Sequence, residues 1–268
     1  MSRNKPIGIF DSGIGGLTVA RAVKNLVPNE NIIYFGDTAH LPYGDKSAAA
    51  IQSYTVKICD LLIKQQCKVI LIACNSASSA AYQLAKEYVG SKAKVINVID
   101  PVIAYLGDKF ENKTIGLIGT KRTVRSNVYQ KKLDKLNKNI QLRSLATPLL
   151  APMIEEGYFD NNISEHIIHS YLSDPILSGI EALVLGCTHY PLIKVQINNF
   201  YQSNIEVIDS SHIVASALKD YLDKNDLHKE SGNNFNKFFV SDYTHSFAEA
   251  TRIFFNEEVN LEYYPLWE

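Results

Sequence analysis

Short, continuously apolar runs alternate with longer amphipathic stretches along the chain, and this alternation constrains the fold more than any other feature of the sequence. Val69–Ile72 and residues 182–185 contain no polar side chain, which is typical of parallel strands covered on both faces. Residues 47–65 carry apolar side chains three and four positions apart, which predicts an amphipathic helix with Ser47 as its N-cap. The sequence therefore predicts an α/β protein with helices on both sides of mainly parallel sheets. The predicted strands are residues 6–10, 31–35, 68–73, 95–99, 114–118, 140–145, 182–185 and 205–208.

The two halves of the chain share a weak internal repeat. The echoed segments are Ile7-Gly8-Ile9-Phe10 with Ile115-Gly116-Leu117-Ile118, Cys74 with Cys187, and Val98-Ile99-Asp100 with Val207-Ile208-Asp209. Their shared order and nearly constant separation favour a duplication over chance. We expect two pseudo-symmetric lobes, residues 1–98 plus 209–268 and residues 99–208, with an active site in the cleft between them. The C-terminal segments 238–241, 247–255 and 261–264 are expected to return to the first lobe.

The composition narrows the classes of protein that this chain can belong to. Its 268 residues are 46% hydrophobic and 21% charged, which excludes a disordered chain. A net charge of −1 provides no field to attract nucleic acid or an anionic membrane, so neither is an expected partner. The N-terminus lacks the apolar core of a signal peptide, and we expect a cytoplasmic protein with reduced thiols.

Four cysteines occur, and two of them lie in matched contexts. Cys74 and Cys187 each follow a buried strand and are predicted to precede a helix, with Pro191 as the first residue of the second helix. A helix N-terminus favours the thiolate form, and parallel strands end at the edge where function gathers. If the lobes face each other, these two thiols face each other as well. Cys59 and Cys67, in contrast, are predicted to be structural.

A glycine-rich turn follows the first predicted strand, from Asp11 to Gly16, and opens a helix near Leu17. Its backbone N–H groups predict a site for an anion. Thr18 stands where a dinucleotide fingerprint requires glycine, and Asp11 would repel a pyrophosphate, so a small ligand with a carboxylate and an ammonium group fits better. The alternative is a tight turn in which Asp11 only caps the helix.

Two opposed thiols allow several chemistries. A disulfide switch lacks a redox partner in the sequence, and Cys187 with His189 offers fewer ligands than a metal site requires. Proton transfer on both faces of one carbon needs only two bases, one starting as thiolate and the other as thiol, and it inverts a stereocentre. No lysine stands in a recognisable pyridoxal-phosphate context, so neither a cofactor nor a metal is expected.

Four segments resemble the signature segments of glutamate racemases, in the same order along the chain. They are Ile7-Gly8-Ile9-Phe10-Asp11-Ser12-Gly13-Ile14-Gly15-Gly16-Leu17, Pro42-Tyr43-Gly44, Ala73-Cys74-Asn75-Ser76-Ala77 and Leu185-Gly186-Cys187-Thr188-His189-Tyr190-Pro191. The resemblance implies a cofactor-independent enzyme that interconverts L- and D-glutamate for peptidoglycan synthesis, with Cys74 and Cys187 as its catalytic thiols. Ser76 departs from the threonine usual in that family, and His189 favours glutamate over aspartate.

The resemblance also implies roles for other side chains. Asp11 near Cys74 and His189 near Cys187 would assist acid–base chemistry, and Asp37 and Glu155 are further polar candidates. The implied substrate contacts are Asp11, Ser12, Tyr43, Gly44, Asn75, Ser76, Thr188 and His189. The expected partner is a small-molecule substrate, and a homodimer is left open. Three alternatives also stay open: a related racemase for aspartate or another acid, a non-enzymatic amino-acid binding module, and a redox sensor with a Cys74–Cys187 disulfide.

Overall fold

Ten strands form two separate parallel sheets in the part of the chain that the computed structural model describes, residues 2–230, 232, 234–243, 251–257 and 259–268. The first sheet has the strand order β10-β9-β2-β1-β3-β4 and the second has the order β6-β5-β7-β8. The strands are β1 (Ile7–Asp11), β2 (Ile32–Gly36), β3 (Val69–Ile72), β4 (Lys94–Asn97), β5 (Thr114–Gly119), β6 (Gln141–Ala146), β7 (Ala182–Gly186), β8 (Glu206–Asp209), β9 (Asn236–Val240) and β10 (Leu261–Tyr263).

Helices cover both sheets, as the alternation of apolar and amphipathic runs predicts. The helices are α1 (Leu17–Leu26), α2 (Ala48–Lys64), α3 (Asn75–Val89), α4 (Ile99–Lys109), α5 (Lys121–Arg125), α6 (Val128–Asp134), α7 (Leu150–Glu155), α8 (Asn162–Leu172), α9 (Lys194–Phe200) and α10 (Ser210–Lys224). The Ser47 hydroxyl accepts the N–H of Ala50 and caps α2, which confirms the predicted N-cap. None of the helices in the described part of the chain combines the length and apolar character that crossing a membrane requires.

The internal repeat is real at the level of topology. The order β2-β1-β3-β4 in the first sheet is matched by β6-β5-β7-β8 in the second, so the first four and the next four strands are connected in the same way. Cys74 follows β3 and Cys187 follows β7, which are equivalent strands. The two-lobe α/β fold is therefore confirmed, whereas the exact residues that divide the lobes stay a prediction.

The third pair of repeated segments is not equivalent in the structure. Val207-Ile208-Asp209 ends β8, but Val98-Ile99-Asp100 lies beyond β4 and begins α4. The cause is Asn97, whose side-chain oxygen accepts the N–H groups of Ile99 and Asp100 at 2.8 Å, so the strand ends at residue 97 and not at the predicted residue 99. Asp209 caps α10 by the same kind of bond to Ser211.

The C-terminal segment returns to the first sheet, as predicted. β9 pairs with β2, and β10 pairs with β9, so the tail extends the edge of that sheet. Of the predicted helical stretch 247–255, residues 251–255 are helical and the remainder lies outside the described residues.

The apolar core is continuous between the lobes. Ile7 and Ile9 of β1 and Leu71 of β3 point to one face of the first sheet and join a cluster that includes Ile115 and Leu117 of β5. The opposite face of the first sheet packs separately against α2 and α3. Because parallel strands point their carboxyl ends at one edge, this arrangement brings the loops after β3 and β7 together.

Candidate active site

Cys74 and Cys187 line the same cavity between the two sheets. Both thiols are unpaired and nearly buried, with exposed fractions of 6% and 7%. The cavity is narrow, with a volume of about 30 Å³. The two thiols therefore face the same confined space between the lobes. The other predicted residues that line the cavity are Ser12, Tyr43, Gly44, Asn75, Ser76, Glu155, Thr188 and His189.

Cys74 occupies the N-cap position of α3. Its sulfur accepts the N–H of Ala77 at 3.4 Å and lies 3.7 Å from the Ser12 hydroxyl, to which it donates. The helix N-terminus predicts a lowered thiol pKa, but burial, with the charge of Asp11 added to it, raises the pKa of Cys74 to about 12. Burial therefore outweighs the effect of the helix N-terminus on the pKa of Cys74, contrary to the predicted preference for a thiolate.

Cys187 has a different environment. It does not precede an α-helix: residues Tyr190–Ile193 form a 3₁₀ turn in which Pro191 is the second residue, and α9 begins only afterwards. A helical turn therefore does follow Cys187 with Pro191 near its start, but its N-cap is His189 and not the thiol. The Cys187 sulfur lies 3.5 Å from Nδ1 of His189.

His189 links Cys187 to an acidic side chain on α7. Its Nε2 lies 2.8 Å from Oε1 of Glu155. Burial disfavours the charged imidazole, but Glu155 and Cys187 outweigh burial and raise the pKa of His189 well above its usual value. The raised pKa favours the charged imidazole, held between the Glu155 carboxylate and the Cys187 sulfur.

Asp11 lies behind the cavity rather than in its wall. Its Oδ2 accepts the N–H groups of Gly13 and Gly16, and its Oδ1 lies 3.5 Å from the Thr188 hydroxyl of the second lobe. Burial raises the pKa of the Asp11 carboxyl in spite of the nearby His189. Asp11 thus uses two N–H groups of the turn itself, and the predicted anion site stays a prediction for the remaining N–H groups.

The glycines of the turn serve close packing. A Cβ atom on Gly15 would lie 2.4 Å from the His189 ring and 2.6 Å from the Thr188 hydroxyl. A side chain there would collide with both, so glycine permits the first lobe to touch the second beside Cys187.

Asp37 is fully buried and stands one layer away from the cavity. Its oxygens accept hydrogen bonds from the hydroxyls of Tyr43 and Ser241, at 2.6 and 2.8 Å, and from the Trp267 indole at 2.8 Å. His40 lies 3.1 Å away. Of these side chains only Tyr43 lines the cavity. Asp37 thus anchors Tyr43 and does not face the cavity itself.

Two lining residues escaped the sequence analysis. Thr120 follows β5 and its hydroxyl lies 2.8 Å from that of Ser76, so this pair connects the lobes across the cavity. Ala151 on α7 completes the wall. Thr120 could have been found from the repeat, because the alignment that pairs Ile7 with Ile115 also pairs Ser12 with Thr120.

The remaining cysteines behave as predicted. Cys59 in α2 and Cys67 before β3 are buried away from the cavity, and burial raises the pKa of each thiol to about 12. Within the described ranges, no three His, Cys, Asp or Glu side chains cluster as metal ligands would.

Comparison with known proteins agrees with this geometry. The model of the Asp/Glu/hydantoin racemase family matches residues 16–218. A glutamate racemase of Chlorobaculum parvum is 38% identical over 260 residues, which are 97% of this chain and 95% of that protein. A glutamate racemase of Neisseria meningitidis serogroup A is 39% identical over 243 residues, or 90% of this chain and 89% of that protein.

A solved structure extends the agreement to the fold. The crystal structure of glutamate racemase from Francisella tularensis in complex with D-glutamate has a TM-score of 0.93 and 38% identity, and the match covers 99% of each chain. Since the family model covers most of the chain and these relatives match it over nearly its full length, the chain belongs to the Asp/Glu/hydantoin racemase family and is an amino-acid racemase, an isomerase.

Proposed function

We propose that this protein interconverts L- and D-glutamate with two thiols and no cofactor. The observation that carries the proposal is the position of Cys74 and Cys187, which leave equivalent strands of two repeated lobes and line one cavity. One thiolate removes the proton from Cα, and the opposite thiol gives a proton to the other face of the same carbon. Each thiol ends in the state in which the other began, so the same site runs the reverse reaction.

The two thiols have different neighbours. His189 lies beside Cys187, whereas the N–H of Ala77 and the Ser12 hydroxyl lie beside Cys74. By the family resemblance, Cys187 removes the α-proton of L-glutamate and Cys74 that of D-glutamate, and the opposite thiol returns a proton in each direction.

The cavity wall supplies groups for the polar ends of an amino acid. Asn75 at the N-terminus of α3 and the hydroxyls of Ser76 and Thr188 are placed to donate to carboxylates. Desolvation and fixed donors around a substrate carboxylate lower the barrier for removing a weakly acidic α-proton. Asp11 would hold the turn that carries Ser12 beside the cavity, and Glu155 would hold His189.

Glutamate is the substrate that the relatives support. The two protein relatives named above are glutamate racemases, and the solved structure from Francisella tularensis holds D-glutamate. D-Glutamate made in the cytoplasm would supply peptidoglycan synthesis. A homodimer, and the lobe limits 1–98 plus 209–268 and 99–208, belong to the same proposal.

The test is racemisation of L-glutamate in D₂O by metal-free, pyridoxal-free protein. With two bases, the D-glutamate formed early carries deuterium at Cα while the remaining L-glutamate keeps its proton. Proton NMR follows the α-proton and a chiral assay follows the enantiomers. Exchange of the substrate pool ahead of product formation would contradict the two-base mechanism.

Single-cysteine variants assign the bases. Cys74→Ser and Cys187→Ser are expected to abolish racemisation, whereas Cys59→Ala, at a buried thiol inside α2, is the matched control and keeps activity. Full activity in either serine variant would remove the assignment. An aspartate substrate would appear in a panel of amino acids, and a binding module would bind glutamate without any exchange.

A further inference from the structure

The Asn75 side chain has one satisfied end and one unsatisfied end. It is 2% exposed and lines the cavity, and its Oδ1 accepts a hydrogen bond of 2.8 Å from the Tyr129 hydroxyl. Its Nδ2 is buried and has no hydrogen-bond partner among the described residues. A buried N–H without a partner costs free energy, so such a group marks a place where a ligand atom can accept.

Tyr129 comes from the opposite lobe. It lies on α6, is 1% exposed and packs in the continuous core, whereas Asn75 begins α3 of the first lobe. Burial raises the pKa of Tyr129 above its usual value, so the hydroxyl stays protonated and donates. The hydrogen bond that this hydroxyl donates to Oδ1 holds the Asn75 amide in the orientation that leaves Nδ2 available to an acceptor.

The residue after each catalytic thiol is therefore contacted by a side chain of the opposite lobe. Asn75 follows Cys74 and is held by Tyr129, and Thr188 follows Cys187 and lies 3.5 Å from Asp11. Both contacts cross from one lobe to the other. Each therefore ties the residue beside a thiol to a side chain of the opposite lobe.

We propose that Tyr129 is a positioning residue that orients the Asn75 amide so that Nδ2 donates to a carboxylate of the bound amino acid. The proposal rests on the proposed function. Tyr129 contacts neither the substrate nor the thiols and acts only through Asn75. Removing its hydroxyl should weaken substrate binding more than it slows the chemical step.

The test is a double-mutant cycle of Tyr129→Phe and Asn75→Ala, read as KM and kcat for both enantiomers of glutamate. Tyr129→Phe keeps the ring and is expected to raise KM by roughly 3- to 10-fold, the range for one lost hydrogen bond, with a smaller change in kcat. In the Asn75→Ala background the same change should have no further effect on KM. A purely structural role would add its effect in both backgrounds and would overturn the proposal.

Controls separate this proposal from the proposed function. Tyr201→Phe removes a buried hydroxyl that has no hydrogen-bond partner among the described residues, and it should leave KM unchanged. Thermal unfolding checks that Tyr129→Phe is folded. If Tyr129→Phe does not fold, Asn75→Ala still tests the proposal. An unchanged KM in that variant would show that the amide does not bind the substrate, and Tyr129 would then have no donor to position.

An active wild type with an unchanged KM in Tyr129→Phe overturns only the positioning role. A wild type that neither racemises nor binds D-glutamate by calorimetry overturns the proposed function, and the positioning role with it.

Discussion

The two thiols of the cavity have different neighbours. Cys74 has a helix N-terminus and a serine, which do not offset the effect of burial on its pKa, whereas Cys187 has the imidazole of His189 held by Glu155. The sequence predicted both thiols because they recur in matched contexts. It could not predict these surroundings, because burial and the approach of Glu155 to His189 depend on the packing of segments distant in sequence.

The raised pKa of His189 has a consequence for stability. The folded protein binds this proton more tightly than the unfolded chain, so the stabilisation is fully present below the ordinary pKa of 6.5 and is lost as pH rises through the raised value. We expect the free energy of unfolding, measured by urea titration, to fall over that range in the wild type and to fall less in His189→Gln. Glu155→Gln removes the strongest of the groups that raise this pKa and should move the fall to lower pH. Equal slopes in all three proteins would contradict this linkage.

At the scale of elements, the glycine-rich turn between β1 and α1 shows what a sequence pattern predicts and what it leaves open. The pattern correctly predicted the turn and the start of α1 at Leu17. The predicted use of its N–H groups for an anion stays a prediction for part of the turn only, since Asp11 occupies the N–H groups of Gly13 and Gly16. A glycine-rich pattern indicates that backbone N–H groups are accessible to a partner. It does not indicate whether that partner is a ligand or a side chain of the protein itself.

Gly15→Ala tests the close approach of the lobes at this turn. The new Cβ would lie 2.4 Å from the His189 ring, so the ring or the turn must move. We expect activity to fall by about 10²-fold, because a displacement near 1 Å beside a reacting group has that effect. Steady-state racemisation assays measure it, with circular dichroism as a check of folding.

Gly13→Ala is the matched control in the same turn. Its Cβ would meet Leu41 at an ordinary 3.5 Å, and its N–H is retained, so a much smaller loss of activity is expected. Similar losses in both variants would mean that the turn tolerates no side chain at all, and the contact with His189 would not be the cause.

At the scale of the whole molecule, duplication explains most of what was predictable. Eight strands, their order of appearance and the facing thiols all follow from one repeat. The return of the tail to the first sheet was predicted from chain connectivity. The contact of that tail with Asp37 was not predicted. The hydrogen bond from the Trp267 indole to Asp37 joins residues far apart in the sequence, and no local pattern indicates it.

Trp267→Phe tests whether the tail supports the active site. The indole N–H is one of the donors that satisfy the buried Asp37 carboxylate, which in turn holds the Tyr43 hydroxyl at the cavity wall. Loss of a hydrogen bond to a charged group costs about 1.5–3 kcal/mol, so the free energy of unfolding should fall by that amount. Because Tyr43 lines the cavity, KM for glutamate should rise as well.

Tyr263→Phe provides the comparison within the same tail. Its hydroxyl is exposed and donates to Glu268, away from Asp37, so neither stability nor KM should change measurably. Urea unfolding and racemisation kinetics on both variants separate the two effects. If Trp267→Phe lowers stability and leaves KM unchanged, the tail stabilises the first sheet without orienting Tyr43. A rise in KM in Trp267→Phe alone connects the C-terminal tail to the substrate, because Trp267 and Tyr43 both donate hydrogen bonds to Asp37.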